Sequence, residues 1–330
     1  MKKIVIDLMG ADDGMLPILQ GAIRSLDAFP EIQIVVTGNE TDIRKELPED
    51  ADLSRIEIIH AEDVITNDEP ATCIFNGKDN SSMVRAIEAL KKDNDCIGLL
   101  SAGNTGALLV GSTFRLGLTA GLKTPALSSS LQCINGKMVC LVDCGANVNC
   151  TAKDMANFAL LGNAFARSMY QLEEPRVALL SVGREKGKGN PLALEAYALM
   201  EELPINFIGN AEGYDLINGY ADVVVADGFA GNIMLKCVEG AGKAAMQIVR
   251  EQQKAASSED AAMYDSILEK LNDVFELNTR GGATFLGTKK PVVKMHGCAT
   301  EETVVACVGQ LLNLNAGGFD RHIADIQDIG

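Results

Sequence analysis

Turns rich in glycine and asparagine follow the apolar stretches that we interpret as β-strands. Six of these turns are Asp7–Gly14, Ser101–Gly106, Asp143–Asn147, Gly183–Pro191, Asp227–Asn232 and His296–Gly297. Glycine lets the backbone approach a ligand closely, and the N–H groups that open a following helix favour an anion. Although any tight strand-to-helix turn needs these residue types, six of them at one edge of a sheet predict a site for phosphate or another anion.

Two lysines and one histidine add chemistry to these turns. Lys188 and Lys236 can supply positive charge, and Asn and Thr side chains can add hydrogen bonds. His296 ends a predicted strand, where capping of the turn and acid–base work are both open. His60 lies inside a predicted strand and His322 in a C-terminal tail, so we expect a structural and a solvated role for them.

Several common nucleotide and hydrolase motifs are absent from the sequence. The first turn offers only Gly10 and Gly14 where a dinucleotide fingerprint needs G-x-G-x-x-G. Gly187-Lys188 lacks the spacing of a phosphate-binding P-loop, and the chain contains no G-x-S-x-G elbow. Asp7, Asp12 and Asp13 have the chemistry for Mg²⁺, but we expect Asp7 to organise its turn and predict no metal site.

The elements that must position these turns alternate between short apolar runs and longer amphipathic ones. Such alternation predicts an α/β fold with a mainly parallel sheet, in which ligands bind beyond the carboxyl ends of the strands. We predict one domain over residues 1–330, with two lobes as the alternative. The predicted strands are Lys3–Leu8, Ile32–Thr37, Ile56–His60, Cys96–Ser101, Ala126–Leu131, Met138–Asp143, Arg176–Val182, Asn206–Gly209, Ala221–Ala226 and Val292–Met295. The predicted helices include Leu16–Ala28, Ser81–Lys92, Thr105–Leu116, Lys153–Tyr170, Leu192–Glu202, Asn232–Gln253 and Glu301–Leu314.

Composition narrows the class of protein and its partners. The 330 residues carry a net charge of −16, which disfavours nucleic acid and broad adhesion to anionic lipid. The apolar run at the N-terminus stops at Asp7, too early for a signal peptide, so we expect a cytoplasmic protein. Nine cysteines without a C-x-x-C pair predict reduced thiols rather than disulfides or zinc.

Motifs in these turns, in the same order along nearly the whole chain, resemble the PlsX family of acyl-acyl-carrier-protein:phosphate acyltransferases. The matching pieces are Asp7-x-Met9-Gly10, Lys78-Asp79-x-Ser81-Ser82-Met83, Ser101–Ala107, Asp143-x-Gly145-Ala146-Asn147-Val148, Lys188-Gly189-Asn190, Phe207-Ile208-Gly209-Asn210-x-Glu212-Gly213, Ala221–Asn232, Gly281-Gly282-Ala283-x-x-Leu286-Gly287 and His296-Gly297. The resemblance implies a three-layer α/β/α fold similar to isocitrate and isopropylmalate dehydrogenases, a homodimer and no redox cofactor. It also implies acyl carrier protein and inorganic phosphate as partners, with acyl phosphate as the product.

Roles for the site residues follow from this chemistry, because a phosphate dianion is itself a nucleophile and needs mainly to be positioned. We predict that Lys188 and the turn at Asn232 hold phosphate, and that His296 assists the leaving thiolate or the oxyanion. Asn104 and Thr105 are predicted to orient the substrate. The full set of predicted substrate- and phosphate-binding residues is Asp7, Gly10, Gly103, Asn104, Thr105, Gly145, Asn147, Asn190, Asp227, Gly228 and Gly231.

The sequence departs from the family pattern at three positions in two of the turns. Asp13 replaces the usual histidine, Arg184 replaces a glutamate, and Pro191 replaces the glutamate after Asn190. The polar stretch Gln252–Asp260 is predicted as a helix break or loop tip within a helical protrusion near 247–276. Because that protrusion is mostly polar or acidic, we expect its apolar residues to pack on protein, with membrane contact at most peripheral.

The carrier protein is itself acidic, so docking to this acidic chain needs a local basic patch; Lys289, Lys290 and Lys294 are the candidates. Three alternatives to acyl transfer from carrier protein to phosphate stay open. They are transfer between short acyl-CoA and phosphate, a metal- and nicotinamide-dependent dehydrogenase reaction, and acyl or phosphate binding without catalysis.

Overall fold

The computed structural model describes residues 1–48, 53–275 and 281–327, which fall into two compact units. Unit 1 consists of Met1–Pro125 and Asn278–Gly330, and unit 2 of Ala126–Leu277. A division into compact units does not show whether either unit folds alone. One domain over residues 1–330 therefore stays a prediction.

The described residues form short strands and longer helices in alternation. The strands are β1 (Lys2–Asp7), β2 (Ile32–Gly38), β3 (Ile56–His60), β4 (Cys96–Ser101), β5 (Ala126–Gln132), β6 (Met138–Val142), β7 (Arg176–Leu180), β8 (Asn206–Ala211), β9 (Val223–Val225), β10 (Ala283–Leu286) and β11 (Val292–Lys294). The helices are α1 (Leu16–Ala28), α2 (Glu40–Glu46), α3 (Ser82–Lys92), α4 (Thr105–Gly111), α5 (Ala152–Tyr170), α6 (Pro191–Glu201), α7 (Asp215–Asn218), α8 (Gly228–Ala255), α9 (Ser258–Phe275), α10 (Glu301–Ala316) and α11 (Phe319–Gln327). There are also short 3-10 turns at Leu53–Arg55 and Ala71–Phe75 and a π-helical turn at Ser112–Leu116.

In unit 1 the strands lie in the order β3-β2-β1-β4-β11-β10. All neighbours are parallel except β10, which runs antiparallel to β11. Ser101 lies in register with Asp7 on one side and with Lys294 on the other. The carboxyl ends of β1, β4 and β11 therefore meet at one edge, as the sequence predicts.

In unit 2 the order is β5-β6-β9-β7-β8, with β5 antiparallel to β6 and the other neighbours parallel. Val225 of β9 lies in register with Val142 of β6 and with Leu179 of β7. The turn after β9 is therefore flanked by the turns after β6 and β7. These three turns carry the candidate residues of this unit except Lys236, which lies further along α8.

Helix capping explains where the helices begin. Pro17 occupies the first turn of α1, where its missing N–H costs nothing. Thr151 and Asp154 form a capping box at α5, and Thr300 and Thr303 form one at α10. Each of these helices then turns an apolar face to its sheet; in unit 1, Leu19 and Val304 belong to one core cluster with Ile4 and Ile6.

Most predicted elements are confirmed, with boundary shifts of a few residues. The predicted helix Thr105–Leu116 divides into α4 and a π-helical turn over Ser112–Leu116. Helix α8 begins at Gly228, four residues before the predicted start at Asn232, because the Asp227 side chain caps it there. The prediction of a break within Gln252–Asp260 is confirmed between α8 and α9.

Two predictions near the C-terminus are corrected. The segment Ala316–Gly330, predicted as a tail, contains α11 in its described part, and residues 328–330 lie outside the described residues. His322 is therefore half-buried on a helix rather than solvated. Strand β10 was not predicted, since its four residues read as part of a glycine-rich loop. The end of the predicted protrusion near 247–276 also lies outside the described residues, at residue 276.

Candidate functional site

Asp7, Ser101 and Lys294 form a row across three neighbouring strands of unit 1. The Ser101 hydroxyl donates to Asp7 Oδ2 at 2.7 Å and accepts the N–H of Gly103 at 3.2 Å. The Met9 N–H donates to Asp7 Oδ1 at 3.2 Å. Burial raises the pKa of Asp7 to about 6, although these hydrogen bonds act in the opposite direction. Asp7 thus organises the first turn, as predicted from its position.

Lys294 completes the row from the other side. Its ammonium group donates to the Ala102 carbonyl at 3.1 Å and to the Met295 carbonyl. Burial lowers the pKa of Lys294 to about 8, while the negative charges of Asp12 and Asp7 act to raise it.

The basic patch predicted for carrier docking is therefore reduced. Lys294 points into the protein, and Lys290 donates to the Leu90 carbonyl at 2.8 Å and to the Asp93 carbonyl at 2.7 Å. Only Lys289 of the three is exposed. The three lysines are close together in the sequence. The pairing of β11 with β4 decides the direction of the Lys294 side chain, which the sequence does not show.

Asn104 links two loops of unit 1. Its Nδ2 donates to the carbonyls of Thr66 and Glu69, each at 3.0 Å, and its Oδ1 accepts the N–H of Ala107 at 2.9 Å. The side chain thereby caps α4 and holds the segment before it. Thr105, the next residue, is exposed. Its hydroxyl is the group of this pair that a substrate can reach.

Glycines in unit 1 allow loops to pack closely. Gly10 has φ +85°, and a Cβ there would lie 3.0 Å from Gly103 Cα. A Cβ on Gly297 would lie 2.1 Å from Asp12 Oδ2, and the Asp12 N–H donates to the Gly297 carbonyl at 2.8 Å. These glycines are therefore required by contacts within the protein.

His296 is exposed at the end of β11, beside a thiol that the sequence analysis did not single out. Its Nδ1 lies 3.0 Å from Cys298 Sγ, and the Cys298 N–H points at the same nitrogen at 3.4 Å. An N–H donated to Nδ1 requires a lone pair there, which places the proton of the neutral ring on Nε2. The ring can then offer an N–H from Nε2 to a substrate.

In unit 2, the buried carboxylate of Asp143 folds the turn after β6. It accepts the N–H groups of Gly145 at 3.2 Å, Ala146 at 3.1 Å and Asn147 at 2.7 Å. The Asn147 side chain also donates to it, at 2.8 Å. These N–H groups, which the sequence predicted to face an anion, are bound by the protein's own carboxylate.

The start of α8 packs directly on this turn. A Cβ on Gly228 would lie 2.6 Å from the Asn147 carbonyl oxygen, and one on Gly231 only 1.9 Å from the Asp143 carbonyl oxygen. Asp227 Oδ1 accepts the N–H groups of Phe229 at 3.0 Å and Ala230 at 2.9 Å. Asp227, Gly228 and Gly231 thus have structural contacts that fix where α8 begins.

Lys188 and Asn232 differ from these neighbours because their functional groups are exposed. Among the residues that the structure describes, no carboxylate lies within ion-pair distance of Lys188, and no hydrogen-bond partner reaches the Asn232 amide. Asn232 Nδ2 lies 3.0 Å from the position that a Cβ on Gly145 would take. Asn190 instead caps α6, accepting the Ala193 N–H at 2.8 Å. Lys236, the other predicted source of charge, pairs with Glu239 at 2.9 Å.

The departures from the family pattern have structural partners. Arg184 forms a bidentate ion pair with the buried Asp215, with its Nε 3.0 Å from Oδ2, and it stacks on the Tyr220 ring. The Arg184 hydrogen bonds lower the pKa of Asp215. Pro191 is the first residue of α6, where proline fits well. Asp13 is exposed in its loop.

The described residues contain no group of three or more His, Cys, Asp or Glu side chains placed to hold a metal ion. Within the same residues, no helix is long and apolar enough to cross a membrane. All nine cysteines are free. In the helical protrusion, Phe275 of α9 packs where Gly242 of α8 leaves room for it, although Met263 is exposed.

Comparison with solved structures identifies the fold. A phosphotransacetylase from Streptococcus pyogenes superimposes with a TM-score of 0.66 at 16% identity, covering 96% of this chain and 94% of that one. A branched-chain phosphotransacylase from Enterococcus faecalis V583 gives 0.61 at 18% identity, with 95% and 99% coverage. These likenesses confirm the predicted three-layer α/β/α class with a mainly parallel sheet.

Comparison of sequences identifies the family. A phosphate acyltransferase of Clostridioides difficile (strain 630) is 35% identical over 318 residues, which is 96% of this chain and 93% of the relative. One of Thermoanaerobacter pseudethanolicus is 35% identical over 331 residues, with 99% and 98% coverage. The family model described as "Fatty acid synthesis protein" matches residues 2–319. The chain therefore belongs to this family, the PlsX family, whose members named here are phosphate acyltransferase enzymes.

Proposed function

We propose that this protein transfers the acyl group of an acyl-acyl carrier protein to inorganic phosphate and so makes acyl phosphate for phospholipid synthesis. The observation that carries the proposal is that the Lys188 ammonium group and the Asn232 side-chain amide are both exposed and have no partner among the described residues. They follow β7 and β9, two strands that are direct neighbours in the sheet of unit 2. A cation and an amide at neighbouring strand ends suit a phosphate dianion.

The chemistry needs no nucleophile from the protein. A phosphate oxygen attacks the thioester carbonyl carbon, the C–S bond breaks, and the carrier thiolate leaves and takes up a proton. Lys188 neutralises charge on the bound phosphate and Asn232 orients it, so that the attack becomes effectively intramolecular. No atom changes oxidation state, which agrees with the expectation of no redox cofactor.

Residues of unit 1 have roles proposed from the sequence. His296 offers a ring N–H to an oxyanion or a thiolate, and Thr105 orients the acyl substrate. The resemblance extends the proposal to a homodimer in the cytosol. Asn104, Asn190, Asp227 and Gly231 act by holding the turns in place.

The reaction class is tested with purified protein and palmitoyl-acyl carrier protein, by following free carrier thiol and acyl phosphate with and without phosphate. We expect release of thiol that depends on phosphate and produces one acyl phosphate per thiol. Acetyl-CoA in place of the carrier thioester tests the short-chain alternative. Binding of phosphate or acyl groups by a well-folded protein without turnover of either substrate would contradict the proposal and favour a non-catalytic role.

A further inference from the structure

The positive charge of Lys294 is directed at groups inside unit 1. Its ammonium group reaches the carbonyls of Ala102 and Met295, and Asp7 and Asp12 are the charged groups that act on it. His296 and Cys298 follow Lys294 in the chain within four residues, after the end of β11. Lys294 is half-buried, and its ammonium group loses solvation there, so its position calls for a physical reason.

The positions of the two carbonyls that Lys294 binds show which segments its ammonium group connects. Ala102 opens the turn that carries Gly103, Asn104 and Thr105, and Met295 directly precedes His296. The Met295 N–H also donates to the Ser101 carbonyl at 2.9 Å. A single ammonium group thereby joins the end of β4 to the end of β11.

Asp7 holds the same turn from the opposite side. It accepts the Ser101 hydroxyl, whose oxygen in turn accepts the Gly103 N–H. The first residues of the turn after β4 are therefore held from both sides. The Asp7 carboxylate holds them through Ser101 on one side, and the Lys294 ammonium group binds them on the other. Charge-assisted hydrogen bonds of this kind hold geometry better than neutral ones.

We infer that Lys294 is a positioning residue of the enzyme, which sets the turn at Ala102–Thr105 against His296 for the thioester substrate. The inference rests on the proposed acyl transfer. It assigns Lys294 neither to the carrier surface nor to phosphate, because its ammonium group bonds carbonyls within unit 1. The residue acts through Thr105 and His296, not on the reacting atoms.

Kinetics of Lys294→Met and Lys294→Arg test this inference, with the exposed Lys45→Met of α2 as a matched control. We expect Lys294→Met to lower kcat by about tenfold or more and to leave the KM for phosphate within about twofold of the wild type. Lys294→Arg, which keeps the charge, should restore part of the rate. Lys45→Met should match the wild type.

The pH profile separates positioning from a merely structural role. With its pKa lowered to about 8, Lys294 loses its proton in the alkaline range. The wild-type kcat should therefore fall as pH rises through about 8, whereas Lys294→Arg should keep its rate to about pH 9.5. A rate for Lys294→Met within about threefold of the wild type at every pH would overturn the inference. A raised KM for phosphate would also overturn it, in favour of direct phosphate binding.

Hydrogen–deuterium exchange gives a readout that needs no turnover. In Lys294→Met, peptides covering residues 101–107 and 295–300 should exchange faster than in the wild type, while those covering residues 181–190 should not change. If Lys294→Met does not fold, Lys294→Arg is measured in the same way. Its peptides should exchange at the wild-type rate, or at least more slowly than those of any other apolar variant at this position that folds. Unchanged exchange in Lys294→Met would contradict the inference even if the proposed reaction holds. Wild-type protein without phosphate-dependent turnover, but with faster exchange in the variant, would contradict the proposed function instead.

Discussion

Two ionisable side chains, Asp7 and Lys294, flank one serine at the strand ends of unit 1. Burial moves both pKa values toward neutrality, that of Asp7 up to about 6 and that of Lys294 down to about 8. Perturbed groups of this kind cluster at functional sites, although structural networks also produce them. In this protein the hydrogen bonds show what they hold, which is the turn after β4.

Asp7 should make the stability of the protein depend on pH in a definite direction. Because its folded pKa lies above its unfolded value of 3.8, its contribution is fully present below about pH 4 and is lost as pH rises through about 6. Two pH units correspond to about 3 kcal/mol of unfolding free energy. Asp7→Asn removes this dependence.

Urea unfolding of the wild type and Asp7→Asn between about pH 4 and about pH 7 measures the effect. The wild type should lose about 3 kcal/mol relative to the variant over this range. Parallel stability curves would show that Asp7 titrates normally. Asp13→Asn, at an exposed aspartate of the same loop, is the control and should follow the wild type.

Sequence reasoning placed these turns at the ends of strands, where the structure has them, but could not separate the residues within them. Asn104, Asn190 and Asn232 all follow strands, and asparagine serves equally well as a helix cap or as a ligand. Only the helix boundaries show that Asn104 and Asn190 bind backbone N–H groups, whereas Asn232 lies inside α8 with its amide exposed. Lys294 was misplaced for a similar reason, because the direction of its side chain depends on strand pairing.

At the level of elements, the first turn of α8 packs tightly on the turn after β6. Asp143 gathers the N–H groups of its own turn, and α8 then packs against the backbone of that turn without room for a side chain. The motif D-G-F-x-G-N reflects this contact. Its glycines allow the helix start to lie close to the loop, and its asparagine is left facing outward.

Gly231→Ala should disrupt this contact, and Gly240→Ala on the same helix provides the matched control. A Cβ on Gly231 would lie 1.9 Å from the Asp143 carbonyl oxygen, whereas one on Gly240 meets nothing within 4 Å. We expect Gly231→Ala to lower the free energy of unfolding by about 2–3 kcal/mol. Gly240→Ala should raise it by about 0.5–1 kcal/mol, since alanine favours the helix.

Circular dichroism during urea unfolding measures both variants. Equal stability of Gly231→Ala and the wild type would show that α8 can shift away from the turn without cost. The sequence predicted this helix but began it at Asn232, because apolar periodicity starts there. The cap that extends it depends on the Asp227 side chain meeting the helix N–H groups, which periodicity does not report.

For the whole molecule, charge is the property that would set the encounter with the acidic carrier protein that we propose as a partner. The net charge is −16, and two of the three lysines predicted as a docking patch donate to carbonyls within unit 1. We therefore expect long-range electrostatic repulsion between the two acidic proteins. At about 0.1 M ionic strength, salt screens this repulsion at separations beyond about 10 Å.

Turnover of the carrier thioester should therefore rise with salt when the carrier is far below its KM. We expect an increase in kcat/KM for the carrier between about 20 mM and about 200 mM NaCl. A small uncharged thioester substrate serves as the control and should respond little. A fall in kcat/KM for the carrier over the same range would indicate an attractive basic docking surface.

The most direct test of the central claim is the kinetic constant for phosphate in Lys188→Ala, compared with Lys186→Ala from the same loop. Lys188 has no ion-pair partner among the described residues, whereas Lys186 Nζ lies 2.7 Å from Glu201. Loss of a charge-assisted contact should lower kcat/KM for phosphate by about 10- to 100-fold in Lys188→Ala. Lys186→Ala should stay close to the wild type. If Lys188→Ala keeps the wild-type kcat/KM for phosphate while the wild type makes acyl phosphate, then phosphate binds elsewhere and the assignment of this site is wrong.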